Sequence, residues 1–237
     1  MTTVDEAPAP LDELPGGPYD LEFFFDPGCP FAWQTSVWIR RVQELRGIEV
    51  GWRFISLKFI NEGNDVPDGM REAQERGLRY HRICAAARAE LGNDAVADLY
   101  RAWGERYWYR ASSSTDLLER LAEAAAGVDP AEVVAALGLP ESLLDAADDP
   151  SWDPLIRAES DEAFRRTGPD VGTPIITYDP PTGNSLFGPV ISAVPDDETA
   201  LAFYDALRTF VDFPAFSELK RTDRAPLDLP LFADPGA

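Results

Sequence analysis

The chain has 237 residues, 45% of them hydrophobic and 11% aromatic, which is enough apolar content to bury a core in one domain or in one domain with a large insertion. Its 42 Asp and Glu against 21 Lys and Arg give a formal charge of -21, a field that repels nucleic-acid phosphates and anionic lipid surfaces. No apolar run approaches the roughly 20 residues of a membrane helix, so neither nucleic acid nor a membrane is an expected partner.

The opening "MTTVDEAPAPLDELPGGPYD" is acidic and proline-rich where a signal peptide would be basic and then apolar. Residues 1–18 read as a disordered arm and the protein as cytoplasmic. Leu21 to Phe25 then form a run of large side chains without polar alternation, the pattern of a central strand buried on both faces. Pro30 suits the first turn of a helix, and Phe31, Thr35, Trp38, Ile39, Val42 and Leu45 recur at three- and four-residue spacing until Gly47. "IEVGWRFISL" follows as a second strand, completing a βαβ unit with a parallel pair.

Between about Asn61 and Thr167 the strand signal disappears. "MREAQERGLRYHRICAAARAELG", "AVADLYRAWGERYWYR", "STDLLERLAEAAAG", "DPAEVVAALG" and "PESLLDAA" read as amphipathic helices separated by Gly, Pro and Asp, far more chain than an ordinary connection. Residues 61–151 are accordingly expected to be an inserted helical subdomain. A helix at "DPLIRAESDEAFRRTG" leads to "VGTPIITYDPPTGNSLFGPV", read as a hairpin, and a last helix runs from about Asp197 to Phe210. Residues 19–60 and 152–215 then build one domain, and 216–237 a proline-broken tail carrying the compact basic group Lys220, Arg221 and Arg224, read as solvated, with anion contact as the minority reading. The order β-α-β, insert, α-β-β-α specifies an α/β thioredoxin-like fold with an inserted helical subdomain.

Cys29 falls where the first strand hands over to the first helix. Unpaired N–H groups and the positive end of the helix dipole there favour a thiolate. A free thiol of pKa about 8.5 is only ~3% ionised at pH 7, and a dipole contribution of about 0.3–1 kcal/mol lowers that by less than one unit. Direct hydrogen bonds must supply the rest, for which Thr35, Ser36 and the backbone at Thr173 are the candidates. The other cysteine, Cys84, reads as a buried helix residue, and the single histidine, His81, as a surface or interfacial residue on an arginine-rich helix. The two cysteines and the histidine lack metal-ligand spacing, and with no G-x-G-x-x-G turn neither a metal nor a flavin is indicated. Phe31 and Trp33 flank the thiol and are candidates to line a groove. The aromatic run Trp103, Tyr107, Trp108 and Tyr109 could be core or a lid, and Asn61-Glu62-Gly63 could edge the site.

"FFFDPGCPFAW", a helical insert, "VGTPIITY" and "FGPV", with the later "DFPAFSELKRT", resemble the DsbA-like thioredoxin-fold proteins, most closely the actinobacterial mycothiol-dependent nitroreductase family, from Tyr19 to Arg224. The resemblance implies that Cys29 is the nucleophile, that Thr173-Pro174 is a cis-proline loop positioning a bound thiol or substrate, and that mycothiol is the thiol co-substrate. Pro30, Phe31 and Trp33 complete the expected thiol- or substrate-binding set. The motif departs from the pattern at Ala32, where the resolving cysteine would stand. Without internal attack, a cycle must be monothiol, with an external thiol releasing the adduct on Cys29.

Three functions fit this reading. One is a thiol-dependent oxidoreductase acting on a small electrophile, a nitro compound by resemblance, or on a mixed disulfide, with a homodimer compatible. The second is a non-redox thiol enzyme like the kappa glutathione transferases and chromene-carboxylate isomerases. The third is a non-catalytic thioredoxin-fold binding module.

Overall fold

A computed structural model describes residues 13–233; the first twelve residues of the expected arm lie outside them. Within the arm, Leu14 is buried, and Gly51 makes room for it, since a Cβ there would stand 2.8 Å from Leu14 Cδ2.

Four strands, β1 (Leu21–Phe25), β2 (Val50–Phe54), β3 (Ile175–Tyr178) and β4 (Ser185–Phe187), form one sheet in the order β2-β1-β3-β4. β1 runs parallel to β2, with Leu21 opposite Val50 and Phe25 opposite Phe54, and antiparallel to β3. β3 and β4 are the two arms of the expected hairpin. Helix α1 (Pro30–Arg46) makes the crossover from β1 to β2 and ends at Gly47, whose φ of 67° places it in the left-handed region and lets its N–H donate to Gln43 O. Only glycine takes that conformation without a Cβ penalty. The sheet is therefore the mixed, thioredoxin-like one that the element order specifies.

The short α2 (Leu57–Ile60) follows β2, and the segment expected as the insert carries α3 (Asp68–Leu91), α4 (Asn93–Trp108), α5 (Leu117–Ala126) and α6 (Pro130–Ala136). α7 (Asp153–Thr167) and α8 (Asp197–Val211) complete the α-helices of the described residues. The segment expected as a helix at "PESLLDAA" is instead a 3₁₀ helix over Glu141–Asp148. Its buried residues, Leu143 and Ala146, are three apart, and the three-residue turn of a 3₁₀ helix stacks such a pair on one line.

β1 is buried on both faces because its side chains alternate between two clusters. Leu21, Phe23 and Phe25 join the main core with Trp38, Trp52 and Tyr100, while Phe24 packs with Ile175 and Ala163 of α7. Strand β2 lies at a sheet edge, whose unpaired backbone groups must find other partners. The side chain of Asn93, the first residue of α4, accepts from Trp52 N–H at 2.7 Å and donates to Trp52 O at 2.9 Å. Glu159 of α7 accepts from Phe54 N–H at 2.8 Å. Insert and helix thus close the edge as a further strand would, fixing both against the sheet.

The same face buries charge that hydrophobic patterning hides. Arg53 pairs with Glu22 at 2.7 Å, Arg88 with Glu159 at 2.9 Å, and Arg166 with Glu22 and Glu162 at 2.7 and 2.6 Å. Taking one partner from such a buried pair costs about 3–5 kcal/mol, so the network ties β1, β2, α3 and α7 into one frame.

Candidate active site

Asp26-Pro27-Gly28 turns the end of β1 into α1. Asp26 Oδ1 accepts from Gly28 N–H at 2.7 Å, and Asp26 O from Cys29 N–H at 3.0 Å. Cys29 is thereby delivered as the N-cap of α1, with Pro30 in the first turn, where a missing N–H costs nothing. Its Sγ accepts from Ala32 N–H at 3.4 Å, the geometry of a capping side chain. Across from it lies the loop before β3, where Thr173-Pro174 is cis. The thiol donates to the Thr173 carbonyl at 3.5 Å, and Thr173 Oγ1 is held by Phe24 O at 3.2 Å. Cys29, Pro30, Thr173 and Pro174 are thus brought together.

The electrostatics differ from the expectation of a depressed thiol pKa. Cys29 is only 8% exposed, and burial pushes its pKa up to about 12, against which the Ala32 N–H works in the lowering direction while the Asp26 carboxylate raises it further. Burial outweighs the helix start because a thiolate loses its hydration before it gains the N–H groups. The Thr173 backbone offers an acceptor, which favours the protonated thiol, rather than a donor to the thiolate. The hydroxyls of Thr35 and Ser36 are spent elsewhere, donating to Pro189 O and Trp33 O, each at 2.7 Å.

Asp26 is a site residue that the sequence motifs do not single out. It is fully buried, accepts from both Gly28 N–H and Leu57 N–H at 2.7 Å, and burial raises its carboxyl from 3.8 to about 7. Gly77 of α3 makes room for it, since a Cβ there would stand 3.1 Å from Asp26 Oδ1. A local signal exists: an acidic residue directly after the run Phe23-Phe24-Phe25, three positions before a cysteine. The Asp26 carboxylate acts on the thiol through charge, disfavouring the thiolate, rather than through a hydrogen bond: its oxygens are taken by Gly28 and Leu57, and the sulfur by Thr173 O and Ala32 N–H.

Phe31 is half-buried, with the Arg224 guanidinium 5.9 Å from its ring centroid. Trp33, expected beside it in a groove, is 1% exposed. Its ring stands edge-on to Tyr100 and Tyr109, at 5.6 and 6.2 Å between centroids, and lies so close against Gly104 of α4 that a Cβ there would overlap it. Trp33 therefore supports the site from beneath. Trp103, Tyr107 and Trp108 are core, whereas Tyr109, 45% exposed, remains over Trp33.

His81 is a buried interfacial residue, not a surface one. Its Nε2 is 3.0 Å from Phe25 O, its ring lies between Phe25 and Phe54, and burial lowers its pKa to about 3. Cys84 is fully buried, its thiol pushed up by desolvation. Glu62 is exposed and pairs with Arg157 at 2.8 Å. Among the described residues, no three His, Cys, Asp or Glu side chains gather as a metal site requires, and no helix is long and apolar enough to cross a membrane.

The segment expected as a solvated tail is tied across the site. Gln34 Nε2 donates to Asp228 O at 2.8 Å, Ser192 Oγ to Ala225 O at 2.8 Å, and Asp228 N–H to Ser192 O at 2.8 Å. Leu229 and Leu231 are buried, and Arg120 of α5 donates to Ala233 O at 2.8 Å. These contacts bridge α1, the loop after β4 and the insert. Their signal, apolar residues spaced among prolines, does not follow any helix or strand period.

Comparison with known proteins agrees with this geometry. Residues 28–221 match the family model of the mycothiol-dependent nitroreductase Rv2466c. The uncharacterized protein Rv2286c of Mycobacterium tuberculosis is 33% identical over 217 residues, 90% of this chain and 86% of that protein. The crystal structure of a provisionally assigned protein disulfide isomerase from Nitrosomonas europaea aligns with a TM-score of 0.50 at 13% identity, over 80% of this chain and 97% of that one, a likeness of fold.

Proposed function

From the premise that this chain belongs to the family of the mycothiol-dependent nitroreductase Rv2466c, we propose that it is a cytoplasmic monothiol oxidoreductase in which Cys29 exchanges with a low-molecular-weight thiol, mycothiol, to reduce a small nitro compound or a mixed disulfide. Membership makes it a thiol-dependent oxidoreductase. The observation that carries the finer reading is the Cys29 sulfur at the start of α1, facing the Thr173 carbonyl, with Ala32 where an internal resolving thiol would stand.

The residues present fit a thiol co-substrate. The Thr173 carbonyl holds the proton of the resting thiol, and the Ala32 N–H points at the sulfur where negative charge develops. Cys29 gives its proton to solvent. The thiolate attacks one sulfur of a mixed disulfide, forming a Cys29 disulfide and expelling the other sulfur as thiolate. A second thiolate then attacks the sulfur bound to Cys29, forming a new disulfide and returning Cys29. For a nitro compound the overall balance is two thiols oxidised to one disulfide while the nitro group is reduced to nitroso and water is released. Substitution of Cys29 by Ser is expected to abolish mycothiol-dependent turnover, measured as disulfide formed and nitro compound consumed; an unchanged rate would refute the reading.

A further inference from the structure

The chain carries twice as many acidic as basic side chains, so a cation without a partner is conspicuous. Lys220, Arg221 and Arg224 make no hydrogen bond or ion pair with a protein acceptor among the described residues, whereas the remaining Lys and Arg each engage a carboxylate, a backbone carbonyl or a tyrosine hydroxyl. These three fall in the segment strapped over the site. Arg224 adjoins Ala225, whose carbonyl is fixed by Ser192, and its guanidinium stands 5.9 Å from the ring of Phe31, two residues beyond the reactive sulfur.

An unpaired guanidinium held over an aromatic ring presents a donor fork and a flat apolar face together. Guanidinium prefers a carboxylate, which it binds in bidentate fashion, and the ring of Phe31 offers stacking to a second ring. A neutral substrate would use only the ring. We propose that Arg224, with Phe31, is a specificity site that selects aromatic substrates bearing a carboxylate, an inference that rests on Cys29 being the exchanging thiol. Lys220 and Arg221 add to the local positive field without contacting the ring.

An aromatic disulfide reports on both parts at once. 5,5′-Dithiobis(2-nitrobenzoate) carries a carboxylate on each ring, and 4,4′-dithiodipyridine is a neutral counterpart. With either, the Cys29 thiolate attacks one sulfur, a Cys29-aryl disulfide forms, the aryl thiolate leaves and is read by its absorbance, and the thiol proton goes to solvent. Peptide mass mapping assigns the adduct to Cys29 rather than to the buried Cys84.

In Arg224→Gln the ratio of the anionic to the neutral rate should fall about three- to fivefold at low salt, the size of one exposed ion pair. The native ratio should fall toward the variant's at about 0.5 M salt, where screening leaves a reach of only a few ångströms. Arg224→Lys should recover part of the ratio. A ratio unchanged in Arg224→Gln, or as low in Arg224→Lys as in Arg224→Gln, overturns the assignment. Absence of a Cys29 adduct with either reagent would instead refute the exchanging thiol itself, so the two failures are distinguishable.

Discussion

Replacing Asp26 by Asn tests the buried carboxyl through stability alone. In the folded chain burial raises its pKa from 3.8 to about 7. Between those values the folded state keeps a proton that the unfolded chain has released, so stability falls as pH rises, by about 1.36 kcal/mol per unit. Nothing is lost below about pH 4, and about 4 kcal/mol is lost by pH 7 and above. The amide of the variant carries no charge at any pH. Its single carbonyl oxygen, however, cannot serve both N–H groups that the carboxylate accepts from, Gly28 and Leu57, and a buried donor left facing the amide NH₂ costs about 1–3 kcal/mol. The variant should therefore be the less stable protein near pH 4 and the more stable one at pH 8, by about 1–3 kcal/mol, with the two curves crossing between about pH 4.5 and 6. Urea unfolding followed by tryptophan fluorescence at intervals from about pH 4 to 8.5 measures this, and taking the difference cancels titrations common to both proteins. A difference independent of pH, or a variant still the weaker at the alkaline end, would refute a raised carboxyl. Because the Asp26 carboxylate raises the Cys29 thiol, the same variant should also alkylate at Cys29 along a pH profile moved to lower pH.

His81, held neutral with its pKa lowered from 6.5 to about 3, contributes stability that is complete above its unfolded pKa and is lost as pH falls toward the folded one, about 1.36 kcal/mol per unit. That slope opposes the one from Asp26, so the native chain should be nearly flat from about pH 4 to 6.5, while His81→Leu should lose stability as pH rises over the same range; an unchanged profile in urea melts would refute it. Gly104→Ala should lower Tm rather than raise it. The new methyl meets the Trp33 ring, and overpacking of about 1–3 kcal/mol outweighs the roughly 1 kcal/mol of helix propensity gained; a rise in Tm would show that the ring is not against α4. Ala32→Cys restores a second thiol one turn from Cys29, and should give a disulfide reversible with dithiothreitol, detected as loss of two mass units, with persistent free thiols as the refuting result.

Strand and helix order are legible because β1, α1 and α3 to α8 each announce themselves by apolar spacing and by Gly or Pro at their ends. Cys29 is legible for the same reason, as a thiol placed at a strand-helix junction. The protonation of the site is not. Whether Cys29 is a thiolate depends on how completely Thr173 and Asp26 enclose it, and a separation of 144 residues between Cys29 and Thr173 leaves no local pattern. Trp33 differs from its expected groove position on similar grounds: its fate is decided by the absent side chain at Gly104, in a different helix. The buried pairs of Glu22, Arg53 and Glu159 are invisible to any scheme that scores charge as surface. The strap over the site leaves no periodic trace because its backbone follows no repeating geometry.

That separation also bears on the order in which the protein is made. A ribosome delivers β1 and α1 long before the loop that carries Thr173, and the strap that passes Phe31 follows later still. With synthesis running at about 5–20 residues per second, Cys29 spends on the order of ten seconds as a nascent-chain thiol with no carbonyl to hold its proton. In that interval its burial is incomplete, and any small disulfide in the surrounding fluid can reach it. The thiol that the finished protein keeps enclosed is therefore most vulnerable to capping before folding ends, and a capped chain would have to be released by the same external thiols on which its later chemistry depends.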